Sequence, residues 1–257
     1  MKHWTEKFFI KKPELWLHFL DRGWRQSRIV VQAIMKILKK QGITKGRFLE
    51  VACGNGRICI PIAKRGFDVT GIDIGKLYIA DAKKRAKRNK VKARFVCGDM
   101  RRLRQFVSGK YDVVLSVWTS IGYYSKKTDQ RVFKMVAQCL RKNGLFLILN
   151  TMSQEYLLNH YCRNLYDETD RYLVLHKSQI FDRFHSTNTE KWVFFEKHGT
   201  DLKYVDELDL CLRIYSLAEI VEMAEAVGLR FVEAFENLMN LKPARPDSMI
   251  NVVFQKR

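Results

Sequence analysis

The apolar residues of this chain change period several times along its length. Between residues 47 and 150, short and nearly unbroken apolar runs alternate with longer stretches whose apolar positions recur every three or four residues. The runs predict strands over 47–52, 67–73, 92–97, 111–117 and 144–150. The longer stretches predict helices over 57–65, 75–89 and 127–141, with a short helical turn over 99–106. Such alternation builds a parallel sheet with helices on both faces, and the almost uniformly apolar segments 47–52 and 111–117 suit its centre. Upstream, apolar residues at 29, 30, 33, 34, 37 and 38 predict a helix over 26–40, closed by Gly42 and Gly46. The first 25 residues are rich in aromatic side chains: Trp4, Phe8, Phe9, Trp16, Phe19 and Trp24.

Past Thr151 the pattern shifts to alternation with a high aromatic content. Segments 171–184, 190–198 and 202–214 predict three antiparallel strands joined by two loops. Ser216-Leu217-Ala218-Glu219 has the form of a capping box, opening a helix that runs to Val227 and stops at Gly228. Segments 230–235 and 249–254 form a closing hairpin, with one strand antiparallel to the rest. The chain thus divides into an N-terminal helical part (1–46), an α/β core (47–150), an antiparallel β insertion (151–215), and a helix and hairpin that complete the core (216–257).

Length and composition narrow this picture. A chain of 257 residues makes one large domain, or one domain with an embedded insertion. It has no run of 18 apolar residues, and its first seven residues lack the apolar core of a signal peptide, so no membrane span and a cytoplasmic location are expected. The six cysteines include no C-x-x-C pair, and Cys53, Cys59 and Cys97 fall in elements predicted to be buried. Reduced, packed thiols are expected, with no disulfide and no metal site. The formal net charge is +20, and half of it lies in residues 83–104, which hold eleven Lys or Arg and one Asp. That block reads either as a patch for RNA or another polyanion, or as the solvated face of a helix. Phe95 is the only aromatic residue among those cations, and the strand pattern buries it.

The candidate chemistry lies where the first strand meets its helix. Glu50-Val51-Ala52-Cys53-Gly54-Asn55-Gly56 is a strand running into a glycine turn, and the next strand ends on Asp73. Glycines let a ligand approach the backbone, and an acid in that place takes ribose hydroxyls. A nicotinamide fingerprint would place a third glycine at 59, where this chain has Cys59, and the acid four residues before Gly54 is unusual for such a site. The heptapeptide instead resembles the first motif of the class I S-adenosylmethionine-dependent methyltransferases, and Asp73, 17 residues after Gly56, falls where that family's ribose-binding acid does. Further motifs follow in order: 93–100 resembles the third, 111–118 the fourth, and 140–146 the turn before the fifth strand, with Asn143 in place of the usual proline.

The resemblance implies a Rossmann-like fold: a seven-stranded, mostly parallel sheet of order 3-2-1-4-5-7-6 with its last strand antiparallel. It implies S-adenosyl-L-methionine as the methyl donor and S-adenosyl-L-homocysteine as product. It assigns Glu50 to orienting the glycine loop and the donor's amino-acid end, Asp73 to the ribose, and Asp99 to the adenine amino group. Ile74 and Met100 would sandwich the adenine, and Ala52, Cys53, Gly54, Asn55 and Gly56 form the loop. Ser116 and Trp118 belong to the strand beside the methyl, and Arg25 stands where an arginine meets the donor's carboxylate in relatives. Trp4 to Phe9 resembles an N-terminal lid, Tyr123 and Tyr124 face the substrate as catalytic candidates, and the insertion would roof the pocket. Each residue also has a plain structural reading: Glu50 as a strand-end acid, Asp73 and Asp99 as helix caps, the tyrosine pair as packing, Arg25 as a surface cation. His176, His185 and His198 read as a general base or as exposed strand histidines.

In-line displacement at a sulfonium needs alignment and water exclusion more than a nucleophilic triad, and no such triad or P-loop signal is present. The expected function is methyl transfer to a small amine, hydroxyl or carbon acceptor, by a monomer or homodimer. RNA methylation through the 83–104 surface is the alternative. Against it, Ser116-Val117-Trp118-Thr119 lacks the Asn/Asp-Pro-Pro-Tyr/Phe of exocyclic-amine nucleic-acid enzymes, and no Pro-Cys pair occurs. A scaffold that has lost catalysis, and a nicotinamide oxidoreductase, are the remaining readings.

Overall fold

The computed structural model describes residues 3–257. The chain opens with α1 (Trp4–Glu6), a π-helical turn (Lys7–Lys11), α2 (Pro13–Arg22) and α3 (Trp24–Lys40). The core follows as β1 (Arg47–Val51), α4 (Cys59–Ala63), β2 (Asp68–Asp73), α5 (Lys76–Arg88) and β3 (Arg94–Cys97). A 3-10 turn (Met100–Arg102) leads into α6 (Leu103–Phe106), β4 (Tyr111–Val117), α7 (Lys126–Cys139) and β5 (Leu140–Thr151). The insertion holds α8 (Gln154–Asn159), β6 (Leu165–Glu168), β7 (Tyr172–Asp182), β8 (Thr187–His198) and β9 (Asp201–Arg213). The chain ends with α9 (Leu217–Glu225), β10 (Leu229–Ala234) and β11 (Ile250–Lys256). Among the described residues no helix is long and apolar enough to cross a membrane.

Seven strands form one sheet in the order β10-β11-β5-β4-β1-β2-β3. Numbered within the core, this is the expected 3-2-1-4-5-7-6, and β11 runs antiparallel to both β5 and β10. Period-two alternation divides the strands between two apolar layers. Phe48, Val113, Leu115 and Leu147 pack against α3, α4 and α5. Leu49, Val114, Phe146 and Ile148 pack against α6, α7 and α9. Both faces of the central strands are covered, which is why their sequences read as continuous apolar runs.

The predicted helix over 57–65 shrinks to Cys59–Ala63, because Ala52, Gly54 and Gly56 all hold positive φ and the chain leaves β1 through a string of tight turns. The predicted 127–141 helix ends at Cys139, where Leu140 turns extended and begins β5. Cys97, expected inside, is exposed because β3 is an edge strand that buries only Phe95 well. The insertion has four strands, not three, in the order β6-β7-β8-β9. Its extra strand is four residues long and mostly exposed, so it carries no alternation to read.

A third apolar cluster joins parts of the chain that are far apart in sequence. Phe8 and Phe9 of the π-turn, Leu15, Phe19 and Leu20 of α2, and Tyr78 of α5 pack with Tyr172, Val174, Phe194, Leu208 and Leu210 of the insertion sheet. Trp16 stacks on Phe19 at 5.2 Å, and the Trp4 indole N–H donates to the Cys211 carbonyl at 3.0 Å. The insertion is tied back to the core through Glu219, which completes the capping box with Ser216 and accepts from Gln154 Nε2 at 3.1 Å and Arg213 at 2.9 Å.

Gly71 in β2 lies opposite Glu50, and a Cβ there would meet the Cys53 and Cys59 sulfurs at 2.7 and 2.9 Å. Gly71→Ala is therefore expected to destabilise the fold by about 1–3 kcal/mol through overpacking. Denaturant unfolding checks this, and an unchanged midpoint would show that the strand-end packing is looser than these contacts require.

Candidate active site

The glycine turn is shaped by one carboxylate. Asp73 ends β2, and its two oxygens accept from the backbone N–H of Gly54 and of Gly75, each at 2.8 Å. It does not cap α5, whose N-cap position is Gly75 with no side-chain cap bond. Asn55 and Gly56 support the turn from behind. The Asn55 amide donates to Asp21 at 2.9 Å and to Asp81 at 3.3 Å, and a Cβ on Gly56 would press on the Phe95 ring at 3.0 Å.

A cavity opens above this turn at the carboxyl ends of β1, β2 and β4. That position is where open α/β sheets bind ligands. Eleven sequence candidates line it: Glu50, Ala52, Cys53, Gly54, Asp73, Ile74, Asp99, Met100, Trp118, Tyr123 and Tyr124. Four do not. Asn55 and Gly56 face away, as described. Ser116 alternates with the cavity-lining Val117 along β4, so its side chain points elsewhere and is buried. Arg25 lines a separate groove with Arg28 and Lys64. Phe9, from the segment read as a lid, also lines the cavity; sequence reasoning missed Trp16 and Leu20 as wall residues, although Trp16 belongs to the aromatic N-terminal segment. It also missed Tyr78 and Arg57, which carry no motif signal; Arg57 could have been noticed as a lone charge just past the glycine turn.

Burial governs the electrostatics. Glu50 is 2% exposed, and desolvation pushes its carboxyl up to about 8 despite a Cys59 thiol donor at 2.9 Å and the nearby Arg57 charge. Desolvation likewise pulls the Arg57 guanidinium down to about 10; it lies over the Trp118 ring, 3.5 Å from the centroid. Desolvation raises the Tyr123 and Tyr78 phenols well above their ordinary value, and the buried Tyr78 hydroxyl has no partner among the described residues. Asp99 caps the turn after it through Arg101 N at 2.8 Å and pairs with the Arg101 guanidinium at 2.7 Å, while still lining the cavity. Arg101 covers the Tyr124 ring at 4.3 Å, and the Tyr124 hydroxyl shares a 3.2 Å hydrogen bond with Thr5. None of His176, His185 and His198 lines the cavity.

The loop bearing both tyrosines is held from beneath. Asp129, fully buried, accepts from Gly122 N at 3.1 Å and from the Tyr215 hydroxyl at 2.8 Å. The Gly122 carbonyl in turn accepts from Arg213 N at 2.8 Å, at the end of β9. Gly122 has φ +106°, and a Cβ there would lie 2.1 Å from the Arg213 carbonyl oxygen, so only glycine fits this junction.

Residues 48–144 match the family described as "Methyltransferase domain". The Bacillus subtilis (strain 168) protein YqeM, whose name assigns it to the methyltransferases only provisionally, is 36% identical over 104 residues, covering 40% of this chain and 41% of that one. The ubiquinone biosynthesis O-methyltransferase of Rickettsia typhi is 25% identical over 222 residues, covering 79% of this chain and 87% of that one. The chain spans 41% and 58% of the lengths of the first two curated relatives, from Bacillus subtilis and a Geobacillus species. Among solved structures, an S-adenosylmethionine-dependent methyltransferase from Clostridium acetobutylicum superposes with a TM-score of 0.80 at 17% identity, covering 95% of this chain and 98% of that one. The sugar N-methyltransferase KedS8 from Streptoalloteichus gives 0.69 at 15% identity, covering 93% and 92%. These two likenesses concern the fold, and they span the insertion as well as the core. Residues 48–144 thus match a methyltransferase domain, and the motif series and the strand order agree with the fold of the class I S-adenosylmethionine-dependent methyltransferases, which this chain resembles.

Proposed function

We propose that this protein transfers a methyl group from S-adenosyl-L-methionine to a small-molecule acceptor, by in-line displacement in the cavity above the glycine turn. One observation carries the reading: the Asp73 carboxylate bridges Gly54 N and Gly75 N at the cavity edge, so the glycine turn lines the cavity beside an acid with spare lone pairs. The donor supplies a sulfonium methyl with a good leaving group. The chain's own residues bind, orient and exclude water. Asp73 would take the ribose hydroxyls, Ile74 and Met100 the adenine faces, Asp99 the adenine amino group, and Glu50 the amino-acid end. The unpartnered Tyr78 hydroxyl is an observation in favour, since a buried phenol without a partner is costly and a polar ligand would satisfy it.

Three features support a small acceptor. The arm residues Phe9, Trp16 and Leu20 roof the cavity, and Tyr123, Tyr124 and Trp118 wall it. Two superposable structures are of enzymes named for sugar substrates, KedS8 and the amino pentose methyltransferase CalS10. The cavity also holds no histidine, and its phenols stay protonated. That arrangement suits a nucleophile that arrives with its own lone pair, such as a neutral amine, better than a hydroxyl needing a base. Tyr123 and Tyr124 then position the acceptor.

Isothermal titration with S-adenosyl-L-methionine is expected to show saturable heat, and Asp73→Ala to weaken binding by about 10- to 100-fold, the worth of charged hydrogen bonds. A folded wild-type sample that gives no heat at high concentration would sink the proposal. A second expectation concerns pH. Burial holds Glu50 up to about 8, Asp129 to about 7 and Asp73 to about 6. The ligand-free fold therefore keeps protons that the unfolded chain releases near pH 4–5, and this contribution to stability is lost as pH rises through those values. Glu50→Gln cannot lose its proton, so its melting temperature should fall less than wild type between pH 6 and 8.5. Parallel melting curves for the two proteins would contradict the buried, protonated Glu50.

A further inference from the structure

The positive charge of this molecule is not spread evenly, and the fold concentrates it more than the sequence alone does. Helices α3, α4 and α5 pack on one face of the sheet. Residues 24–46, 57–65 and 76–92, which carry those helices, hold seventeen Lys or Arg and one Asp. The single acid, Asp81, is paired with Arg85 at 2.6 Å, and Asp21 of α2 pairs with the same arginine. On the opposite face α9 carries Glu219, Glu222 and Glu225 and no cation.

Within the basic face lies a groove between α3 and α4. Arg25 and Arg28 form one wall, Lys64 and Arg65 the other, and Arg57 closes the inner end; no acidic residue lines it. None of these five cations has a carboxylate within 4.0 Å among the described residues, although elsewhere the molecule pairs cations freely. Lys64 reaches only the Asn89 amide oxygen at 2.7 Å, and Arg65 only the Pro61 carbonyl at 2.8 Å. The Lys64–Asn89 contact and the Arg85 guanidinium over the Trp24 ring at 5.2 Å join the groove to the cations at the end of α5.

We propose that this face binds the phosphate backbone of a nucleic acid, with the α3–α4 groove as its principal site. A solvated basic surface intersperses acids with its cations; here unpaired cations converge from two walls on one concavity, which suits a row of phosphates. A lipid surface would favour a convex face with apolar side chains to insert, and the only large apolar residues exposed on these helices are Ile29 and Leu77. Trp24 keeps its indole N–H buried, so no exposed aromatic platform or base-reading side chain is on offer. Binding is therefore to backbone, independent of sequence and steeply salt-dependent. The proposal is independent of the methyl acceptor's identity.

The test is fluorescence anisotropy of a labelled, mixed-sequence 20-nucleotide single-stranded RNA with the full chain at 50–300 mM salt. With four or five cations engaged, log K should fall with log salt at a slope of about −3. Two charge-matched variants separate a site from overall charge: Arg28→Glu/Lys64→Glu in the groove, and Lys127→Glu/Lys142→Glu on the exposed surface outside these helices. The groove pair should lose about tenfold or more in affinity at 100 mM salt and the control pair at most about twofold. Melting curves must show both variants folded; should the groove pair unfold, Arg28→Gln/Lys64→Gln serves in its place. Equal losses in the two pairs, no binding at 50 mM salt, or binding to anionic phosphatidylserine vesicles without RNA binding would each overturn the proposal.

Discussion

The structure turns on the bond that Asp73 makes to two backbone amides. A carboxylate stripped of water is expensive unless donors replace the lost hydration. Here the donors are Gly54, just past β1, and Gly75, just past β2, so one side chain fixes the relative positions of two strand ends. The Cys53 N–H, donating to the Ile72 carbonyl at 3.0 Å, extends the β1–β2 ladder to the edge of the turn. Because the turn is pinned there, its backbone lines the cavity, with the Leu20 side chain packed over Gly54. The cost remains visible in the carboxyl, which burial still holds near 6 after both amides have pulled it down.

Cavity closure is a separate problem, solved by residues far apart in the chain. The arm brings Phe9, Trp16 and Leu20 over the site, and the arm stays down because its other apolar residues pack on the insertion sheet. The tyrosine loop is fixed by Asp129 from α7 and by Arg213 from the last insertion strand. The insertion itself is anchored to α9 through Glu219. Roof and wall therefore meet at the end of β9, so a disturbance of the insertion reaches Tyr123 and Tyr124 through Gly122 without passing through the main sheet.

These two layers of construction differ in how far the sequence reveals them. The sheet was legible because apolar periodicity records burial directly: a central strand covered on both faces cannot avoid reading as an apolar run. The glycine turn and Asp73 were legible because backbone geometry there demands particular residue types. What the sequence concealed were properties of neighbours rather than of residues. Asn55 and Gly56 belong to the turn by position, yet they brace it from behind, because the positive-φ reversal swings them toward α2, α5 and Phe95. Ser116 shares a strand with a cavity residue but sits on the other side of its pleat. Arg25 sits one residue into α3 and points along its outer side, to the groove. Tyr78 and Arg57 reach the cavity only because α5 and the glycine turn converge there. The short, exposed β6 lacks any pattern, since a four-residue edge strand buries too little to constrain its side chains.

Charge gives these features a common logic. A chain of net charge +20 should repel a cationic ligand, yet around its cavity it gathers Glu50, Asp73 and Asp99 against one guanidinium, Arg57. Seventeen of the 47 cations, against one Asp, lie on the segments that carry α3 to α5, where water and salt screen them over about 8–10 Å. The cavity interior is shielded from that screening, so its own charged groups dominate what an entering ligand feels. Glu50 is the adjustable member of the set. Desolvation keeps it largely protonated at neutral pH; a positive charge placed beside it would lower its pKa and release that proton. The site thus avoids the cost of a second buried anion until a cation is there to stabilise it.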